Sequence, residues 1–166
     1  MIEPASIDIL LAEHEGALLR YAAGFLNDHA LAQDAVQEAF VALIRQSPQP
    51  SGDYLRHWLF TVVRNKSLDL LRKEKRRAWL HFKFSREPRL ESRSSEREKE
   101  DPRIRALAAA LPKLNPARRE VLLLRLQQGL PHEQIATITG RTPGHCRKLL
   151  HEAVTQLKLL VKINEL

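Results

Sequence analysis

Two groups of side chains have the types and spacing that could support chemistry. Asp34 and Glu38 stand four residues apart, so on a helix their carboxylates would share one face, as paired metal ligands do. No histidine is spaced to complete such a pair, and His145, Cys146 and His151 lack the ligand spacing of a zinc site. The sequence also contains no glycine-rich phosphate loop and no nucleophile elbow. We therefore predict no catalytic residue, no metal and no cofactor, with Cys146 as a buried thiol and the Asp34–Glu38 face as a protein-docking surface.

The charge of the chain is distributed unevenly. The net charge of the 166 residues is +7. Residues 1–50 carry two Lys and Arg against seven Asp and Glu, residues 51–103 carry fifteen against nine, and residues 104–166 carry ten against four. An acidic first third and two basic thirds indicate different partners for different segments, with a basic protein whose charged faces are simply solvated as the alternative.

The composition also bears on the compartment. One cysteine fits a reducing compartment, and no apolar run approaches the ~20 residues that span a bilayer. The first residues lack the charged and apolar parts of a signal peptide. We expect a cytoplasmic protein without membrane insertion.

Helical spacing of apolar residues runs through both halves, and we find no strand pattern. The first half predicts helices over residues 6–26, 28–45 and 53–77, separated by Asn27-Asp28 and by a loop with two prolines and a glycine. Residues 85–103 are charged and nearly free of apolar side chains, which predicts a flexible linker. The expected fold is all-α, with two small helical domains over residues 1–84 and 104–166.

In the second half, the segment Pro131–Ala153 predicts a helix-turn-helix, with Gly140 in the turn and Thr142-Pro143 opening the second helix. In that motif the first residues of the second helix face the base edges of the major groove. We expect Arg147 to read guanine or phosphate and Lys148 to bind phosphate, although a plain helical hairpin is the alternative. The predicted DNA-binding residues are Thr142, Gly144, His145, Arg147, Lys148 and His151.

The third helix is a second basic element. Asn65 and Ser67 could hydrogen-bond bases, and Phe60 and Trp58 could stack on unpaired bases. For Trp58 a core position is favoured by its helical spacing, and for Phe60 both interpretations stay open. The predicted DNA-binding cations on this helix are Arg56, Arg64, Lys66, Arg72, Lys73 and Arg76. The aromatic segment Trp79–Phe84 is expected either to fold back on the first domain or to form an exposed patch for a partner.

Several segments together resemble bacterial sigma factors of the extracytoplasmic-function class, a minimal branch of the sigma-70 family. The segments Leu18–Ala22 and Asp34–Phe40 resemble the first parts of sigma region 2, and Trp58–Arg72 resembles the part that reads and opens the −10 promoter element. Leu111-Pro112, Arg119–Val121 and Gln134–Ala153 resemble region 4, which reads the −35 element. The resemblance covers nearly the whole chain.

The resemblance implies partners and roles. The partners would be core RNA polymerase, contacted at the β′ clamp and the β flap, and promoter DNA, with an anti-sigma factor as a possible regulator. The loop Ser47–Asp53 would hold a flipped −10 base, and Asn65 would contact the non-template strand. The polymerase-docking residues would be Asp34, Gln37, Glu38, Phe40 and Leu43.

The chain departs from the pattern of these sigma factors at Pro131, Leu149 and Glu152, where a hydroxyl residue and arginines are usual. These departures put a standard −35 sequence in doubt. Two other functions stay open: a helix-turn-helix regulator that binds duplex DNA without polymerase, and a recombinase-like DNA-processing enzyme. The second lacks a convincing carboxylate triad or nucleophile.

Overall fold

The computed structural model describes residues 4–84 and 101–164, and these residues are helical apart from short connections. The first half consists of α1 (Pro4–Leu26), α2 (His29–Arg45) and α3 (Gly52–Phe84). The second half contains α4 (Pro102–Ala110), α5 (Pro116–Leu122), α6 (His132–Thr139) and α7 (Pro143–Asn164). A 3-10 turn at Leu111–Lys113 precedes α5, and a π-helical turn at Leu123–Gln127 follows it. The predicted all-α fold is confirmed.

Local capping explains where several helices begin. The carboxylate of Asp28 accepts a hydrogen bond from the Leu31 amide at 3.0 Å, which satisfies a free N–H of the first turn of α2. The Asn115 side chain does the same for Ala117 at 2.9 Å, ahead of a proline that opens α5. At the start of α7, the Thr142 hydroxyl accepts from the amide of His145 at 3.2 Å. Each of these caps comes from a side chain directly before the first turn of its helix, so the local sequence sets where α2, α5 and α7 begin.

The first half packs α1, α2 and α3 against one another around an aromatic centre. Tyr21 and Phe25 stack at 6.0 Å between ring centroids, and Phe60 meets Tyr21 edge to face at 5.6 Å. All three rings are at most 1% exposed. Aromatic pairs of this geometry stabilise a core beyond their buried area, so this cluster anchors the three helices.

The second half is built around α7, which contacts α4, α5 and α6. Gly140 ends α6 at φ 68°, a left-handed conformation that costs a residue with a Cβ about 1–2 kcal/mol. The sharp turn lets α7 fold back across α6, and it completes the helix-turn-helix. Cys146 is fully buried inside this motif, as predicted.

The two halves pack together through one continuous core. Gly24 of α1 lies close to the second half, because an added Cβ would lie 2.9 Å from a methyl carbon of Leu123. A larger residue at position 24 would therefore require the Leu123 side chain to move. Ile135 of α6, Leu124 and Leu59 of α3 belong to the same core.

The structure corrects one helix boundary. Helix α3 was predicted to end near residue 77, and it continues to Phe84. Its aromatic end does not fold back on the first half, because every residue from 75 to 84 is exposed. Of the predicted linker, residues 85–100 lie outside the described residues, and Pro102-Arg103 already belong to α4.

Candidate functional site

The exposed face of α2 carries polar side chains in a row. Asp34, Gln37 and Glu38 are exposed, as a docking surface requires. Two exposed apolar residues on the same helix, Val41 (44%) and Ile44 (52%), were not predicted to belong to that surface. Their pattern resembles that of core residues, so the sequence alone does not mark them as exposed.

Two predicted docking residues lie beneath this face. Phe40 is 5% exposed and Leu43 is 1% exposed, both within the core of the first half. They were predicted to contact a partner directly, and the structure corrects this. Their apolar side chains are more stable when buried in the core than when exposed, so they stabilise the packing of α2 on the first half.

An open groove separates α2 from α3, and an ion pair bridges it. The Lys66 ammonium lies 2.7 Å from the Glu38 carboxylate, and Asp34, Gln37 and Leu70 line the same groove. The hydrogen bond to Glu38 raises the pKa of Lys66. The two residues were predicted to bind different partners, and the structure makes them neighbours.

Helix α3 presents only part of its predicted DNA-binding set to solvent. Asn65, Arg72, Lys73 and Arg76 are exposed. Phe60 and Ser67 were predicted to contact DNA, and both are buried, at 1% and 0% exposure. Their positions at helical spacing from Leu59 and Val63 place them on the inner face, which corrects that prediction. Trp58 is half-buried and packs against the core.

Two other predicted DNA-binding cations of α3, Arg56 and Arg64, form hydrogen bonds with the second half. Arg56 donates through Nη2 to the backbone carbonyl of Gln128 at 3.1 Å. Arg64 donates to both carboxylate oxygens of Glu120, through Nε and, at 3.5 Å, through Nη2. In this arrangement the Arg64 guanidinium is engaged by Glu120, whereas Arg56 is exposed and keeps further N–H donors for phosphate.

Glu120 is the centre of this link. Its side chain is only 2% exposed, and it also accepts from Arg141 Nη1 at 2.8 Å and from the Tyr21 hydroxyl at 3.3 Å. Burial, followed by the nearby Glu120 charge, raises the pKa of Tyr21 well above its ordinary value. One carboxylate therefore joins α1, α3, α5 and the turn before α7. Tyr21 and Arg64 lie 99 and 56 residues away from Glu120 in the chain, so no local pattern pairs them with it.

The helix-turn-helix exposes one continuous polar face at the start of α7. The structure brings together all six predicted residues, and each of them is exposed: Thr142, Gly144, His145, Arg147, Lys148 and His151. Arg147 lies 3.7 Å from Glu133 and Lys148 lies 3.9 Å from Glu152, and both cations remain largely exposed. Exposed pairs of this kind contribute little to stability, so both cations can leave them for phosphate or base edges.

The departures on α7 have structural causes. Leu149 is 8% exposed and belongs to the core rather than to the polar face. The Glu152 carboxylate accepts from Arg118 Nε at 3.0 Å and thereby ties α7 to α5. An arginine at either position would lose these contacts.

Two family models match this chain, one in each half. The model of sigma-70 region 2 matches residues 10–77, and the model of sigma-70 region 4 matches residues 104–157. The ECF RNA polymerase sigma factor SigL of Mycobacterium tuberculosis is 34% identical over 168 residues, which cover 96% of this chain and 91% of that relative. This chain belongs to the extracytoplasmic-function class of the sigma-70 family.

Further relatives agree with this membership. The RNA polymerase sigma factor CarQ of Myxococcus xanthus is 30% identical, with 92% of this chain and 87% of CarQ covered. Among solved structures, the sigma factor RpoE of Bartonella quintana, in complex with the anti-sigma factor NepR, matches with a TM-score of 0.75. That match is 25% identical and covers 94% of this chain and 96% of RpoE.

Family membership gives the general function. The chain is an RNA polymerase sigma factor that acts in promoter-directed transcription, and sigma factors are non-catalytic regulatory proteins. Within the described ranges, no helix is long and apolar enough to cross a membrane. Residues 4–84 and 101–164 also contain no group of three or more side chains able to hold a metal ion.

Proposed function

We propose that this sigma factor binds core RNA polymerase through the exposed face of α2 and reads promoter DNA with α3 and α7. In this proposal Asp34, Gln37 and Glu38 contact the β′ clamp, and Val41 adds an apolar contact beside them. The second half binds the β flap. The protein acts in the cytoplasm, where it would direct polymerase to −10 and −35 elements.

The observation that carries the proposal is the exposed polar face at the start of α7. Its two cations, Arg147 and Lys148, stand beside polar side chains at the positions that face base edges in a helix-turn-helix. On α3, Asn65, Arg72 and Arg76 form a second exposed face, which would hold the −10 region. The two faces supply two separate DNA contacts within one chain.

The link at Glu120 adds a conformational requirement. Arg56 and Arg64 belong to the proposed −10 surface, yet both are engaged by the second half. Phosphate contact by Arg64 therefore requires the halves to separate, so we infer that the described arrangement precedes promoter engagement. A regulator that holds the halves together would keep the factor inactive. The anti-sigma complex of RpoE supports proposing a regulator of that class here.

The central experiment measures assembly with core polymerase. Glu38→Lys reverses one exposed charge of the α2 face, and interface residues that matter commonly cost more than ~1 kcal/mol. We expect core binding to weaken about five-fold or more. Glu15→Lys makes the same charge reversal on an exposed part of α1 and serves as the matched control. Both variants should keep the helical circular dichroism of the wild type.

Selection of genomic DNA by the reconstituted holoenzyme, followed by sequencing and run-off transcription, supplies the promoter. Core-dependent selection with specific transcripts supports the sigma-factor mechanism. If the chain alone selects the same duplexes and core polymerase adds nothing, the autonomous regulator is the better description. Unchanged core binding by Glu38→Lys would refute the α2 docking face.

A further inference from the structure

The last two turns of α3 form a helical extension that the function above does not use. The match to sigma-70 region 2 ends at residue 77, whereas α3 continues to Phe84. Every residue from 75 to 84 is exposed. The exposed fractions are 58% for Trp79, 88% for Phe82 and 75% for Phe84. Such large rings gain nothing from the core in this position, so they indicate a contact surface.

The chemistry of the extension favours one kind of partner. Residues 72–84 contain six Lys and Arg side chains and one carboxylate, that of Glu74. The Lys83 ammonium lies 4.9 Å from the centroid of the Trp79 ring and 5.6 Å from that of Phe84. Aromatic rings interleaved with cations are the combination with which proteins bind a nucleic-acid strand, because the rings pack on bases and the cations meet phosphates.

The extension also continues the proposed −10 surface. Asn65, Arg72, Arg76, Trp79 and Lys83 follow one another at spacings of seven, four, three and four residues, which places them on one face of the helix. All five are exposed. Seventeen residues separate Asn65 from Phe82, a length of about 26 Å along a helix. This length equals about seven base steps of a DNA strand.

We propose that the residue 79–84 extension of α3 is a further DNA-binding element, which packs Trp79 and Phe82 against promoter DNA next to the segment held by Asn65. Lys75 and Lys83 contact the phosphates beside the two rings. This inference rests on the proposed function of α3, and it extends the promoter contact beyond the part of the helix shared with the family.

The first test replaces both rings, in holoenzyme bound to a promoter fragment recovered by the selection described above. Trp79→Ala/Phe82→Ala should lower promoter affinity about five-fold or more for each ring that is lost. Circular dichroism should not change because both rings are exposed, and core polymerase binding should not change because both rings lie outside the proposed docking face of α2. Ile9→Ala removes an equally exposed apolar side chain (67%) from α1 and should leave promoter affinity unchanged.

A second measurement identifies the partner directly. With p-benzoylphenylalanine in place of Phe82, irradiation of the promoter complex should cross-link the sigma factor to a DNA strand. Lys83→Gln should reduce the salt dependence of promoter binding by about one counterion. Cross-links to DNA together with the loss of affinity support the proposal.

Cross-links only to a polymerase subunit, or a ring-free variant that binds the promoter as tightly as the wild type, would overturn it. A failure of the proposed function would be recognised separately. In that case the wild-type chain itself would assemble no promoter-selective holoenzyme.

Discussion

Replacement of Arg64 by methionine should weaken the closed arrangement of the two halves by about 1.5–3 kcal/mol, the usual contribution of hydrogen bonds to a charged group. The Arg64 and Glu120 side chains are 15% and 2% exposed, so solvent screens their interaction only slightly. After the change, Glu120 keeps Arg141 and Tyr21 as donors and is not left unpaired. The cost therefore stays below that of an orphaned buried charge.

Glu120→Gln should cost more, about 3–5 kcal/mol, because two largely buried guanidinium groups then lose their carboxylate. Combining the two changes in a double-mutant cycle isolates the pair, and contacting residues of this kind couple by about 1–3 kcal/mol. Urea unfolding of the full chain, monitored by circular dichroism, supplies the four free energies. In 1 M salt the Debye length is about 3 Å, which weakens the interaction of exposed charges. The coupling between Arg64 and Glu120 should largely persist there, because both side chains are mostly buried.

The exposed pair Arg72–Asp69 on the same helix is the matched control. Its atoms approach to 2.9 Å, yet its side chains are 68% and 58% exposed, so the cycle of Arg72→Met with Asp69→Asn should give no more than about 0.5 kcal/mol. If the Arg64–Glu120 coupling is no larger than this control, the carboxylate does not link the halves in solution. The inference that the two halves must separate before Arg64 contacts DNA would then fail as well.

Two further predictions concern a titrating group and helix α7. Tyr21→Phe removes a phenol whose pKa is raised in the folded state, so the native chain binds that proton more tightly than the unfolded chain does. The stabilising effect of Tyr21 is complete below the unfolded pKa of about 10 and declines as pH rises above it, so the stability difference between wild type and variant should shrink from pH 8.5 to pH 10.5 in urea titrations. A stability difference that stays constant over this pH range would contradict the raised pKa of Tyr21 in the folded state. Arg147→Ala should relax base preference at one −35 position, whereas Lys148→Ala should weaken all sequences alike and flatten the salt dependence by about one counterion, as measured with single-base promoter variants at several salt concentrations. If neither profile changes, α7 does not read the −35 element.

The sequence predicted the three helices of the first half and the helix-turn-helix, apart from the end of α3, and the structure shows why. Their caps are local: Asp28, Asn115 and Thr142 each bond an amide two or three residues ahead. Apolar spacing was less informative about the surfaces, because one stripe contains both core residues and exposed residues. Phe40 is buried, whereas Ile44, one turn later on the same side of the helix, is 52% exposed. Distinguishing them requires the direction from which α1 and α3 approach α2.

The link between the halves could not be predicted from local patterns. Glu120 meets Arg64 and Tyr21 across 56 and 99 residues of chain, and no periodicity encodes such a distance. One signal was available in retrospect. Glu120 is a carboxylate directly before the apolar run Val121–Leu124, at a position where helical spacing puts it on the buried side. A buried carboxylate needs cationic or hydrogen-bonding partners, so the position of Glu120 in the sequence indicates that it has partners but not which residues they are.

The closed arrangement sets a condition on how the factor reaches its promoter. DNA and Glu120 would compete for Arg64. A partner can shift such an equilibrium only by as much as it favours the open state. A promoter phosphate gains nothing from Arg64 until Arg64 is released, so the energy for opening has to come from a partner that contacts other surfaces. The exposed α2 face and the exposed face of α7 both remain accessible in the closed state. Binding of core polymerase to the first of these, with the second half held apart on the β flap, would therefore release Arg64 before DNA is engaged.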